Sequence, residues 1–77
     1  MITVRFFAAA RAAAGTNETT LDAPDLDTLR TQLADKFGEP LARVLSVSSF
    51  LADGVATRGG PLADGVTVDV LPPFAGG

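Results

Sequence analysis

Apolar and polar residues alternate in two stretches, one near each end of the chain, at residues 2–6 and 66–70. A period of two is the pattern of a β-strand with one face in the core and the other in solvent. The inward positions are Ile2, Val4 and Phe6 in the first stretch and Val66, Val68 and Val70 in the second. The same alternation puts Phe7, a large aromatic residue, on the outward face of the first strand.

Residues 25–37 have the periodicity of an α-helix, with apolar residues three and four positions apart on one face. This apolar stripe consists of Leu26, Leu29, Leu33 and Phe37. Asp25 can cap the helix by accepting a hydrogen bond from a free backbone N–H group of the first turn. We expect Gly38 and Pro40 to end the helix, because glycine favours helix ends and proline cannot continue a helix.

Shorter segments carry weaker versions of these signals. The alanine-rich residues 8–14 predict a helix of about two turns that ends at Gly15. Asp53-Gly54 predicts a tight hairpin turn, because this dipeptide accepts the positive φ angles of such turns. The remaining predicted elements are strands at residues 18–21, 48–51 and 55–57 and a short helical turn at residues 41–47.

The order of these elements predicts an α+β fold of the β-grasp type. We expect a mixed sheet whose central strands are the first and the last of the chain, running parallel. This sheet would pack on one main helix, with the other helices short. The 77 residues are expected to form a single domain, residues 1–77, with an extended tail at residues 72–77.

Composition narrows the classes of function. The chain has no His, Cys, Tyr or Trp, which excludes a Ser-His-Asp or Cys-His nucleophile and a zinc site built from His or Cys. Its 9 acidic and 6 basic residues give a net charge of −3, whereas a nucleic-acid-binding surface needs clustered Lys and Arg. Arg5 and Arg11 interrupt the one stretch that is similar to a signal peptide, and no stretch approaches the roughly 20 apolar residues of a membrane span. We therefore expect a cytoplasmic protein without a permanently bound cofactor or metal, and without nucleic acid or membrane as a partner.

The tail has the sequence Pro72-Pro73-Phe74-Ala75-Gly76-Gly77. Pro72 and Pro73 favour an extended backbone and cannot donate a hydrogen bond to a neighbouring strand. Gly76 and Gly77 have no β-carbon, so they can pass through a narrow channel and approach another protein's active site. Phe74 offers an aromatic anchor just before them. The Gly77 carboxylate is therefore the candidate reactive group, and the preceding tail residues are the segment that would insert into a partner.

The chain ends on Pro-Pro-x-x-Gly-Gly after an alternating strand. Other positions along the chain belong with this ending to one family pattern. They are residues 1–7, Arg11, Gly15, Leu29-Arg30, Pro61-Leu62 and Asp64-Gly65. Together they resemble the ubiquitin-like sulfur carriers, most closely the small subunit of molybdopterin synthase (the MoaD group), over essentially the whole chain. Val70 and Leu71 stand where many members of that family have two aromatic residues.

The resemblance implies a non-catalytic subunit that serves as a co-substrate. In that family an E1-like enzyme uses ATP to adenylate the terminal glycine carboxylate, and a sulfur donor then converts it to a thiocarboxylate. The tail inserts into the large synthase subunit, and its sulfur passes to cyclic pyranopterin monophosphate as molybdopterin is built. For this chain the resemblance implies that Gly77 carries the sulfur, that Gly76 permits insertion, and that small and large subunits form a heterotetramer.

Two outward residues, Phe7 and Leu71, fall on adjacent predicted strands beside the tail. We expect them to form part of a partner-binding patch, because neighbouring exposed apolar residues often mark an interaction site. Arg5, Arg11 and Arg58 are expected to be solvated surface charges, since isolated exposed charges usually contribute little to binding or stability.

The sequence leaves two other functions open. The sulfur could serve a different pathway, such as the synthesis of thiamine thiazole or of an amino acid. The chain could also be a ubiquitin-like modifier whose Gly77 forms isopeptide bonds with lysines of target proteins. Lys36, the only lysine, would then be the one side chain that could link copies of the protein to each other.

Overall fold

The structure is a computed structural model, and it describes residues 1–73 of the chain. This part contains five strands and three helices. In chain order they are β1 (Ile2–Phe6), α1 (Ala9–Ala14), β2 (Glu18–Leu21), α2 (Leu26–Phe37), α3 (Glu39–Val47), β3 (Ser49–Ala52), β4 (Val55–Thr57) and β5 (Thr67–Leu71). No helix in the described range is long and apolar enough to cross a membrane.

The five strands form a single sheet in the order β2-β1-β5-β3-β4. β1 and β5 run parallel, with Val4 opposite Val68 and Phe6 opposite Val70. The other neighbouring pairs are antiparallel. The last strand therefore lies at the centre of the sheet beside the first, which confirms the predicted mixed sheet and the α+β fold of β-grasp type.

The core lies between one face of the sheet and the helices. All six strand positions predicted to point inward are buried, and the first three residues of the predicted helical stripe are completely buried. Phe37, the fourth residue of the stripe, is half-buried, and its ring packs edge-on against Phe6 with the ring centroids 5.5 Å apart. The remaining core residues are Ala10, Ala23, Leu41, Leu45 and Phe50.

α2 begins as predicted, because the Asp25 side chain accepts a hydrogen bond of 2.7 Å from the backbone N–H of Thr28. α2 ends at Gly38 as predicted, and Pro40 also helps to begin the next helix. Pro40 lies in the first turn of α3, where its missing N–H has no helical partner to lose. The predicted short helical turn is therefore a helix of nine residues that starts at Glu39, and α2 with twelve residues remains the longest helix of the described range.

Three other elements begin one residue later than predicted, each for a local reason. α1 is shortened because Ala8 has a φ angle of 51°, outside the helical region. β3 is shifted because Ser48 still caps α3, and β5 is shifted because the N–H of Val66 is bonded within the preceding turn. The turn between β3 and β4 has the predicted positive φ angles, 48° at Asp53 and 83° at Gly54.

Candidate functional site

The predicted tail leaves the fold from the centre of the sheet. β5 lies between β1 and β3 and ends at Leu71. Pro72 is buried and ends the strand pairing, since it has no N–H to donate, and Pro73 lies exposed in a turn. The other residues predicted for the tail, Phe74, Ala75, Gly76 and Gly77, lie outside the described residues.

Phe7 and Leu71 lie next to each other at the base of this tail. Phe6 is paired with Val70 in the parallel register, so the residue after each of them falls at the same level of the sheet. Phe6 and Val70 point into the core, and Phe7 and Leu71 therefore lie on the opposite face. Both are half-buried. The structure brings the two residues together as expected, and their burial by a partner stays a prediction.

An ion pair lies on the same face, two residues before Phe7 on β1 and two residues before Leu71 on β5. Arg5 Nε donates to Asp69 Oδ1 at 2.7 Å, and Arg5 Nη2 donates to Asp69 Oδ2 at 3.0 Å. The Arg5 side chain is 51% exposed and that of Asp69 only 12%. The hydrogen bond from Arg5 to Asp69 raises the pKa of Arg5 above its ordinary value. The guanidinium group also lies over the ring of Phe7, 5.7 Å from the ring centroid.

This pair differs from the sequence-based expectation that Arg5 is a solvated charge. Arg5 and Asp69 are 64 positions apart, and they meet because the parallel register puts them opposite each other on β1 and β5. A possible signal in the sequence was the alternation itself, since it assigns both residues to the outward face.

Leu51 is a further residue of this surface that sequence reasoning missed. It lies on β3 opposite Asp69 and is half-buried. Its neighbour Phe50 is buried in the core, so alternation along the strand places Leu51 on the outward face. We refer to Phe7, Leu51 and Leu71, together with the pair Arg5 and Asp69, as the tail-base surface.

The tail-base surface is suited to binding. It combines three half-buried apolar side chains with an ion pair whose carboxylate oxygens are both hydrogen-bonded. Among residues 1–73, no three His, Cys, Asp or Glu side chains are grouped so that they could hold a metal ion. The surface lies beside the end of β5, the strand after which the chain continues toward Gly77.

Sequence comparison alone gives no family for this chain. No family profile matches it, and no curated protein is significantly similar to it. Comparison of structures does find similar proteins. One is a chain of the complex of subunits 1 and 2 of molybdopterin-converting factor from Helicobacter pylori, with 29% identity and a TM-score of 0.74. The match covers 99% of this chain and 97% of that one.

Two small archaeal modifier proteins have similar structures. SAMP1 from Methanosarcina acetivorans matches with 25% identity and a TM-score of 0.79, over 99% of this chain and 95% of that one. SAMP1 from Haloferax volcanii matches with 21% identity and a TM-score of 0.76, over 99% and 98% of the two chains, and shows the fold alone. The resemblance predicted from the sequence is therefore confirmed: the chain is a ubiquitin-like β-grasp protein, similar over its whole length to a chain of molybdopterin-converting factor and to small archaeal modifiers.

Proposed function

We propose that this protein is a sulfur carrier for molybdopterin synthesis, and that its Gly77 carboxylate is converted to a thiocarboxylate. The observation that carries the proposal is the full-length similarity to a chain of a complex named molybdopterin-converting factor. The Gly76-Gly77 ending supports the proposal, because a carboxylate after two residues without side chains can enter a narrow active site.

The proposed chemistry needs no catalytic side chain on the carrier. A Gly77 carboxylate oxygen attacks the α-phosphate of ATP and displaces pyrophosphate, which gives an acyl-adenylate. A hydrosulfide equivalent from a sulfur donor then attacks the acyl carbon and displaces AMP, which leaves the thiocarboxylate. An E1-like enzyme supplies the nucleotide site for both steps, and the sulfur then passes to cyclic pyranopterin monophosphate on the large synthase subunit.

The described residues limit how far the reactive group can reach. An extended chain spans at most about 3.3–3.6 Å per residue, so the four residues after Pro73 keep Gly77 within about 14 Å of it. A partner active site that receives the Gly77 carboxylate must therefore lie close to the tail-base surface. This short reach supports Phe7 and Leu71 as contact residues for the enzymes that handle the tail.

The Helicobacter pylori structure also supports the proposed partner. It is a complex of two different subunits, and we propose that this protein binds a large subunit in the same way. Phe74, Ala75, Gly76 and Gly77 would follow Pro72 and Pro73 into that subunit. The expected assembly is a heterotetramer of small and large subunits.

The proposal is tested by intact-mass spectrometry. The protein, with a free Gly77 carboxylate, is incubated with ATP, an E1-like activating enzyme and a sulfur donor. We expect the mass to rise by the difference between one sulfur and one oxygen atom, and deletion of Gly77 to abolish the change. Gly59→Ala is the matched control, because a β-carbon at Gly59 would meet no atom within 4 Å. An unchanged wild-type mass with an enzyme that activates another carrier would refute the sulfur-carrier function for that pairing.

A ubiquitin-like modifier is the second candidate function. It is favoured by the similarity to the small archaeal modifier protein of Methanosarcina acetivorans. In this case the Gly77 acyl-adenylate would react with a lysine amine of a target protein and release AMP. The Lys36 side chain is exposed, so its amine is accessible for linking copies of the protein. Its Nζ donates a hydrogen bond of 3.0 Å to Thr19 Oγ1. Conjugates of higher mass in cell extracts would support the modifier, and loss of self-linked chains in Lys36→Arg would identify the linkage.

A further inference from the structure

A groove of about 540 Å³ opens beside the sheet, between α2, the start of β3 and the end of β4. Two guanidinium groups line it, those of Arg30 and Arg58, together with hydroxyl-bearing residues that include Ser49 and Thr57. None of the described residues that line the groove is acidic. In a chain with 9 acidic and 6 basic residues, this groove is locally basic.

The two arginines are held differently. Arg30 donates to Asp27 at 3.0 Å, and its guanidinium lies 5.8 Å from the ring centroid of Phe50. Its side chain remains 42% exposed. A guanidinium has five N–H donors, and the single bond to Asp27 leaves most of them available. Arg58 is exposed and forms no ion pair with another residue of the described range.

The groove and the tail-base surface share strand β3, since Ser49 lines the groove and Leu51 belongs to the tail-base surface. Ser49 is paired with Leu71 on β5, and the pairing of Phe50 with Thr57 places Arg58 next to Ser49 across the β3–β4 register. Neighbouring strands are about 4.8 Å apart, so Arg58 lies two strands, or about 10 Å, from the end of β5. By this register Ser49 and Arg58 fall on the same face of the sheet as Leu71, so a protein that covers Leu71 can also contact these two residues.

We infer that this groove binds carboxylate side chains of an acidic segment on the large subunit that receives the tail. The inference rests on the proposed function, because it takes that subunit as the partner. Guanidinium groups pair with carboxylates through two parallel hydrogen bonds, which gives the contact geometric selectivity as well as charge. The groove presents two guanidinium groups, which favours a peptide segment with at least two acidic residues over a single carboxylate.

The first experiment measures affinity for the large subunit as a function of ionic strength. Arg58→Glu reverses the charge of a side chain that forms no ion pair within the described range, so we expect the fold to be unaffected. At low ionic strength the dissociation constant should rise by on the order of tenfold. The effect should shrink at about 1 M salt, where the screening length is about 3 Å. Arg30→Gln should act in the same direction.

Arg43→Glu is the control, because it makes the same charge change on α3 at a side chain that is 79% exposed and outside the groove, and the exposed pair of Arg43 with Glu39, at 3.5 Å, contributes little. Equal effects of Arg58→Glu and Arg43→Glu would overturn the inference, and so would a loss for Arg58→Glu that salt does not diminish. A wild-type protein that does not bind the large subunit at all would refute the proposed function instead.

A second experiment does not depend on the large subunit. Isotope-labelled protein is titrated with hexaglutamate, and separately with inorganic phosphate, while backbone amide signals are followed by NMR. We expect hexaglutamate to shift the amides of Ser49, Thr57 and Arg58, and the shifts to disappear in Arg58→Glu. Shifts caused by phosphate but not by hexaglutamate would show a site for small anions and overturn the acidic-segment inference.

Discussion

Replacing Leu71 with aspartate tests whether the tail-base surface is covered by a partner. Leu71 is the last residue of the central strand, lies beside Phe7 on the outward face, and is half-buried in the isolated chain. The substitution removes an apolar side chain and places a carboxylate at the point where the tail leaves the fold. If a partner encloses this point, the substitution affects binding more than folding.

The size of the effect follows from the burial of Leu71. Complete burial of a leucine side chain contributes about 1.5–3 kcal/mol, and since Leu71 is already half-buried, about 1 kcal/mol is left for a partner to gain. An unpaired polar group enclosed at the same place costs about 1–3 kcal/mol. The sum, about 2–4 kcal/mol, corresponds to a rise of roughly 30- to 700-fold in the dissociation constant.

The effect on folding should be smaller. The part of Leu71 that the fold already buries contributes about 1 kcal/mol to stability, and the lower β propensity of aspartate costs up to about 1 kcal/mol more. A domain of 77 residues is stable by about 4–12 kcal/mol, so Leu71→Asp should remain folded. The negative charge of Asp69 on the same face adds some repulsion, and Leu71→Asn separates this contribution from the loss of apolar contact.

The assay is calorimetric titration against the large subunit, with circular dichroism to verify the fold, since the chain has no Trp or Tyr for fluorescence. Val55→Asp is the matched control: it is the same kind of change on edge strand β4, at a residue that is 69% exposed. We expect Val55→Asp to bind like the wild type. A folded Leu71→Asp protein with wild-type affinity would remove Leu71 from the interface and refute this reasoning.

Three further predictions concern stability and are checked by chemical denaturation followed by circular dichroism. Leu33→Ala should destabilise the protein by about 2–5 kcal/mol, because Leu33 is completely buried and its loss leaves a cavity. Ala8→Gly should be neutral or stabilising, because Ala8 has a φ angle of 51°, whereas Ala12→Gly on the exposed side of α1 should cost about 1 kcal/mol; equal losses would show that Ala8 is unstrained. The hydrogen bond from the Thr28 N–H lowers the pKa of Asp25, so the stability that Asp25 provides is present at neutral pH and lost as the pH falls through its folded-state pKa. Asp25→Ala should therefore be less stable than the wild type at neutral pH, and the difference should vanish in acid.

Most of the fold could be predicted because its signals are local. Alternation identified β1 and β5 and the faces on which Phe7 and Leu71 lie, and three- and four-residue spacing identified α2 with its cap at Asp25. The main difference from the prediction was local as well. In the sequence, Pro40 is compatible with the end of one helix and with the first turn of the next. In the structure it lies in the first turn of α3, whose residues Leu41 and Leu45 are buried in the core.

The features that could not be predicted depend on which strands and helices become neighbours in the fold. Arg58 follows a short predicted strand, but its position near Arg30 requires both the β3–β4 register and the placement of α2 against the sheet. Sequence patterns give neither of these. The groove therefore could not be predicted from the sequence, although Leu29-Arg30 is part of the family resemblance.

The Arg5–Asp69 pair is a charged group within the surface that we expect a partner to cover. Both oxygens of Asp69 are bonded to Arg5 and the carboxylate is nearly buried, so covering it removes little water. Arg5 is half exposed and has further N–H donors, which a partner must satisfy.

Arg5→Met keeps the apolar stem over Phe7 but leaves the Asp69 carboxylate without its cation, so both stability and partner affinity should fall. The double variant Arg5→Met with Asp69→Leu removes both charges and should regain stability. If it also regains wild-type affinity in the titration, the pair acts only within the fold. Affinity that stays low in a stable double variant would mean that the partner accepts hydrogen bonds from Arg5, which is the result we expect.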